Sequence, residues 1–335
     1  MKKLLSLILV IATLAITLLT FSSCSKDETE LRIGVLNGTT GVGIAKLYQD
    51  VNSEGNTKNY KITIYSDVTT IKADIAAGNI DVAAMPTTDA ALYYASEYQQ
   101  AKPIQMLAVN TLSVLYGVTS QDGINSLSDL KGKTVWLPTP EGQGPDAVFR
   151  ALLKKNGIEV GEGTDKINVQ NAANPQALMA LVAVKGTAKI AIMPEPLVTN
   201  ATAKAKENNI TLKTFMDVGA VWGDENPIAQ GCLVVRSDFA NEHKRLISDF
   251  LDDYEDSVEY MTKEENLDEA AKIIGSIKDL NMAEAVAKQA LPKCALVCIK
   301  GKEMKNTLKP FYQALFEVNE SSIGKNPDDD FYYTK

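Results

Sequence analysis

Short apolar runs alternate with amphipathic stretches along most of the chain. Runs at 31–36, 60–65 and 80–85 have the length and β-branched content of strands. Helical spacing of apolar positions predicts helices over 41–53, 69–78 and 88–98. Two apolar runs, 104–109 and 112–119, then follow with no helix between them, which predicts a strand crossing from one part of the molecule to another. Alternation resumes with strands at 133–138, 166–170 and 188–193 and helices at 144–156, 175–184 and 196–207. Gly231 to Arg236 is β-rich and reads as the return crossing. The rest is read as mostly helical: one long helix over 238–260 with Ser237 as its cap, then 265–274, 282–289 and 302–316. Strand–helix alternation of this kind predicts α/β architecture.

One phrase occurs twice. Gly78 to Pro86 reads G-N-I-D-V-A-A-M-P, and Gly186 to Pro194 reads G-T-A-K-I-A-I-M-P. Each follows a helical segment and runs into another helix. The units opening the two halves match more loosely, at Leu31–Leu36 and Thr134–Leu137. The chain is therefore expected to build two similar lobes. The first is discontinuous, 31–112 with 231–335, and the second is 113–230. In such lobes ligands sit beyond the carboxyl ends of the strands, so facing lobes would form a clamshell.

At the N-terminus, Lys2 and Lys3 precede an apolar run from Leu4 to Leu19, then Ser22, Ser23 and Cys24. A basic start, an apolar core and a small-residue exit read as a secretory signal over 1–23. The cysteine after the small residues reads as a lipidation site at Cys24, with 24–30 as a tether. The expected location is the cell envelope, lipid-anchored and facing outward. The alternative is an uncleaved anchor, although a run of about 16 residues is short for a span.

Acidic residues outnumber basic ones 42 to 34, a net charge of −8. That disfavours a nucleic-acid partner. Cys232, Cys294 and Cys298 leave a Cys232–Cys294 bridge or buried thiols open. With His243 the only histidine and no paired CxxC, neither a metal site nor a cofactor is expected.

Four loops are expected to meet at the cleft. Asn37, Thr39 and Thr40 lie in N-G-T-T-G-V-G, whose glycines leave backbone accessible. Thr87 and Thr88 open the helix after the first copy of the repeat. Thr139, Glu141, Gly142 and Gln143 lie in T-P-E-G-Q-G-P-D, and Glu195 lies in P-E-P after the second copy. Helix N-termini with free N–H groups suit a small polar or anionic ligand. The alternative is ordinary capping chemistry. Asn110, Thr111 and Ser113 lie at the first crossing. Trp222, before the return crossing, could stack on a planar ligand or pack as core. Glu141 and Glu195 could bind an amine or stand solvated, and an acid/base pair is disfavoured. Gly41-x-Gly43 is no dinucleotide fingerprint, because Lys46 occupies the third glycine's place.

Several segments resemble the solute-binding lipoproteins of ABC importers, most nearly the nitrate/sulfonate/taurine type, which shares its fold with pyrimidine-precursor binders. They are N-G-T-T-G-V-G-I-A-K-L at 37–47, G-N-I-D-V-A-A-M-P-T at 78–87, N-T-L-S-V-L-Y at 110–116 and L-K-G-K-T-V at 130–135. M-P-E-P at 193–196, G-C-L-V-V-R at 231–236 and P-D-D-D-F-Y-Y at 327–333 also fit. The resemblance implies a type II periplasmic-binding-protein fold, with two Rossmann-like lobes joined by two crossing strands around a ligand cleft. It implies a monomer that binds a small solute and delivers it to a membrane permease powered by a cytoplasmic ATPase. Two other readings are an enzyme on the same fold (a pyrimidine synthase or dehydratase) and a ligand-binding sensor subunit.

Overall fold

The computed structural model describes residues 29–97, 103–223 and 225–334. The signal segment and Cys24 lie outside the described residues. Among those described, eleven strands form two sheets. β1 (Leu31–Leu36), β2 (Tyr60–Tyr65), β3 (Val82–Pro86), β4 (Ile104–Thr111), β10 (Gly231–Arg236) and β11 (Leu296–Lys300) make the first, ordered β2-β1-β3-β10-β4-β11. β5 (Leu115–Thr119), β6 (Thr134–Leu137), β7 (Asn168–Asn171), β8 (Ile190–Pro194) and β9 (Lys213–Asp217) make the second, ordered β7-β6-β8-β5-β9.

The two orders are equivalent. β1 and β6 pair parallel with β3 and β8, the two copies of the repeated phrase. Next to each copy lies a strand that arrives from the other sheet: β10 antiparallel to β3, and β5 antiparallel to β8. The equivalence extends to single hydrogen bonds. Just beyond the two copies, Thr87 N donates to Gln230 O at 3.1 Å and Glu195 N donates to Val114 O at 2.8 Å. The repeat glycines serve the same purpose in both halves. Gly78 and Gly186 take φ of +72° and +60°, the left-handed region that ends a helix most easily with glycine.

Burial explains the strand signals. Val82 to Met85 and Gly231 to Val235 are buried throughout, as expected for central strands covered on both faces. β2 alternates partly buried and exposed positions at an edge. One apolar cluster runs through both sheets. It joins Met85 and Val109 to Leu137 and Ile192, with Phe149, Phe311 and Leu315 from helices.

The structure departs from the sequence expectation in several places. The helix expected over 41–53 is two pieces, Thr39–Val42 and Ala45–Val51. Ser257 holds them apart, its Oγ donating to Gly43 O at 2.8 Å and accepting from Leu47 N at 3.1 Å. The long helix expected over 238–260 is also broken. His243 leaves helical dihedrals between Ser237–Glu242 and Lys244–Thr262, its ring 4.4 Å from that of Phe239. Arg236, rather than Ser237, stands at the first piece's cap position. The helix from Pro175 widens to a π turn over Ala180–Val184. β9 and β11, both edge strands, were not expected, and β11 interrupts a region read as helical. The cysteines Cys232, Cys294 and Cys298 are free thiols.

Candidate functional site

The turns that follow the parallel strands come together where the two sheets meet. The helix Thr87–Glu97 starts directly after β3, and the helix Gly144–Lys155 starts after the turn that follows β6. A Cβ placed on Gly144 would lie 3.9 Å from Thr88 Oγ1. Thr88 is 3% exposed, yet its hydroxyl makes no hydrogen bond within the protein. Thr87, its neighbour, is spent structurally: its Oγ1 donates to Ala229 O and its carbonyl accepts from Tyr312 at 2.9 Å.

A second group gathers at the ends of β4 and β10. Asn110 and Thr111 are fully buried and bonded to each other, Thr111 Oγ1 donating to Asn110 Oδ1 at 3.1 Å. Thr40, 7% exposed, packs with them and donates to Leu36 O at 2.9 Å. Gly231 makes this possible by having no side chain, as a Cβ there would stand 2.5 Å from Asn110 Oδ1 and 2.9 Å from the Thr40 methyl. Asn110 Nδ2, Ser113 Oγ, Gln230 Oε1 and Tyr254 Oη are buried without hydrogen-bond partners. Unpaired buried polar atoms are rare in folded proteins, and here four lie at or beside the crossings. Burial raises the Tyr254 hydroxyl's pKa well above its ordinary range, so it stays protonated.

The third turn is stapled by residues the sequence did not single out. Asp146, wholly buried, accepts from Gly142 N at 2.7 Å, Arg150 Nε at 2.8 Å and Asn171 Nδ2 at 2.9 Å. Asn171 also donates to Thr139 O at 2.7 Å, and Thr139 Oγ1 to Gln143 O at 3.1 Å. The Gly142 amide is thus taken by the protein itself. Glu141 is 71% exposed and pairs with Arg150 at 3.3 Å. Gln143 is exposed at the helix start. Asn37, half-buried, reaches Asp279 O at 3.3 Å, and Thr39 is half-buried beside it.

Glu195 is buried at the start of the helix Leu197–Glu207. Its carboxylate accepts from Thr199 N and Thr199 Oγ1, both at 3.1 Å, and Lys293 Nζ lies 3.7 Å away. Burial raises its pKa, opposed by the Thr199 hydrogen bonds and Lys293. Neighbouring Tyr116 is pushed up to about 12, by burial first and then by Asp217 and Glu195. The sign follows from linkage. Folded protein holds the Glu195 proton to higher pH than unfolded chain, so this group favours folding below the ordinary glutamate range and loses that contribution as pH rises. Melting curves of wild type and Glu195→Gln should therefore converge, or move in wild type's favour, as pH falls from about 7 to about 4.5. A gap that widens against wild type on acidification would refute this assignment.

Trp222 is engaged by the protein itself. It is 4% exposed, donates through Nε1 to Asn226 O at 2.7 Å, meets Phe311 edge-on at 6.3 Å and carries the Lys155 ammonium 5.2 Å from its ring centre. The structure thus gathers Thr40, Asn110 and Thr111 at the ends of β4 and β10, sets Thr88 beside Gly144, and engages Glu141 with Arg150 and Trp222 in packing. Asp146 carried a faint signal, an acid at the end of a glycine-rich turn, and Asn171 carried none. Tyr254 and Lys293 carried none, since sequence neighbours say nothing of contacts so remote.

Two equivalent sheets, two crossings and facing helix starts define an α/β protein of the periplasmic-binding-protein fold. The chain belongs to the family described as ABC transporter, phosphonate, periplasmic substrate-binding protein, whose model matches residues 43–286. It is accordingly an extracytoplasmic substrate-binding protein of an ABC importer and not an enzyme. Solved structures agree on the fold. An ABC transporter protein from Parabacteroides distasonis superposes with a TM-score of 0.74 at 17% identity, covering 92% of this chain and 99% of that one. The aliphatic sulphonate-binding protein of Escherichia coli gives 0.66 at 14%, with 91% and 94% covered. The nitrate-binding protein of Synechocystis gives 0.63 at 15%, with 88% and 84% covered. No curated protein matches the chain. Among the described residues, no helix is long and apolar enough to cross a membrane.

Proposed function

We propose that this chain captures a small organic oxyanion between two lobes, 31–112 with 231–335 and 113–230, and hands it to a permease coupled to an ATPase. The names of the family and of its structural neighbours, phosphonate, sulphonate and nitrate binders, support an oxyanion. The observation that carries the reading is the Thr88 hydroxyl, which has no hydrogen-bond partner in the protein although the residue is only 3% exposed, and which lies beside the start of the Gly144 helix. Helix starts attract anions through free N–H groups and the aligned peptide dipoles. In this reading the ligand meets Thr88 and the first-turn amides, with Thr39, Thr40, Asn110 and Thr111 lining the first lobe. Thr139 and Gln143 face them from the second.

Ligand binding would favour the arrangement with the lobes together and so shift the population toward the form a permease recognises. The protein acts as a monomer, tethered through lipid on Cys24 after removal of 1–23. Thr88→Val tests the site. A hydrogen bond from a hydroxyl to a charged group contributes about 2 kcal/mol, so calorimetric affinity for the oxyanion should fall roughly 30-fold. Unchanged affinity would remove Thr88, and the helix start on which it stands, from the site.

A further inference from the structure

We infer that the site is matched to a single negative charge and discriminates against doubly ionised groups such as a phosphonate dianion. This rests on the oxyanion reading above and narrows it. The segments 37–43, 86–90, 110–114, 139–146, 194–199 and 228–231 contain no lysine, arginine or histidine. Among the described residues, the cations at ion-pair distance from them are already engaged. Lys72 pairs with Asp89 at 3.1 Å, Arg150 with Asp146 at 2.8 Å and Glu141 at 3.3 Å, and Lys293 with Glu195 at 3.7 Å. The positive potential left for a ligand comes from backbone.

Each helix start carries about half an elementary charge. The two that approach each other, Thr87–Glu97 and Gly144–Lys155, together offer about one. A third, Leu197–Glu207, is answered from within, because Glu195 already accepts from Thr199 N at 3.1 Å. The unpartnered hydroxyl of Thr88, a residue only 3% exposed, adds a neutral donor beside the start of the Gly144 helix. One ligand charge is therefore met. A second would stand among Asp89, Asp146 and Glu195 with no cation of its own.

The test is calorimetric titration of the protein with methylphosphonate and with methanesulfonate, from about pH 6 to about pH 9. Methanesulfonate stays singly charged throughout and controls for titration of the protein. Methylphosphonate affinity should fall about tenfold per pH unit once its second proton is lost, because only the monoanion binds, while methanesulfonate affinity stays level. Methylphosphonate affinity that is constant or rises with pH, beside a level sulfonate, overturns the charge selection and leaves the oxyanion site standing. Failure of both to bind overturns the oxyanion reading itself, and this inference with it.

Discussion

Asp146→Ala should lower the stability of the protein by about 3 kcal/mol. The Asp146 carboxylate is fully buried and receives three donors, from Gly142 N, Arg150 Nε and Asn171 Nδ2. Removing it strands the Gly142 amide, leaves Asn171 with Thr139 O alone, and takes the nearer carboxylate from Arg150. Arg150, only 16% exposed, would keep Glu141 as its remaining partner, and that carboxylate lies 71% exposed at 3.3 Å. Breaking a buried pair from one side typically costs 3–5 kcal/mol, and the low end applies because Arg150 retains some solvent. Asp146→Asn separates charge from shape. It keeps an acceptor for Gly142 but turns an amide toward donors, so it should recover only part of the loss. Denaturant unfolding gives both numbers. A loss under about 1 kcal/mol for Asp146→Ala would mean that the turn from Thr139 to Gly144 holds its shape by other means.

Gly231→Ala should cost about 2 kcal/mol, from overpacking. Glycine is needed here for space, as its missing side chain leaves room for Asn110 Oδ1 and the Thr40 methyl. β10 cannot retreat, because it is paired on both sides, to β3 and β4. The neighbours have little freedom either, since Asn110 and Thr111 are wholly buried. The mechanism predicts coupling. Shortening the obstructing side chain in Asn110→Ser should make the same glycine substitution cheaper, with an interaction of at least about 0.5 kcal/mol in a double-mutant cycle. Additive losses would show that the strain lies elsewhere. Because these residues line the first lobe's side of the proposed site, Gly231→Ala should also weaken ligand binding.

How much of this was legible depends on what each signal encodes. The central strands were plain, because Val82–Met85 and Gly231–Val235 are buried on both faces and must be continuously apolar. The repeated phrase carried more, since it located β3 and β8 and the turns after them, which are equivalent down to one hydrogen bond. β9 and β11 escaped because edge strands need no such run. The break at Gly43 escaped because a tertiary contact from Ser257 imposes it. At the site, sequence found the turns but not how their groups are used. Gly142 N and the start of the Leu197 helix looked free for a ligand, yet Asp146 and Glu195 hold them. Tyr254 and Lys293 reach the junction only through the fold.

The most direct test of the central claim is a thermal-shift screen of the protein against nitrate, alkanesulfonates, alkylphosphonates, small carboxylates and neutral heterocycles. A true ligand at 100 times its dissociation constant adds about 2.7 kcal/mol of stability, which a melting curve resolves. Oxyanion capture predicts a selective shift by one oxyanion class, largest for a singly charged member and reduced to about 0.9 kcal/mol in Thr88→Val at the same concentration. A shift by a neutral or cationic solute, with every oxyanion silent, would contradict it.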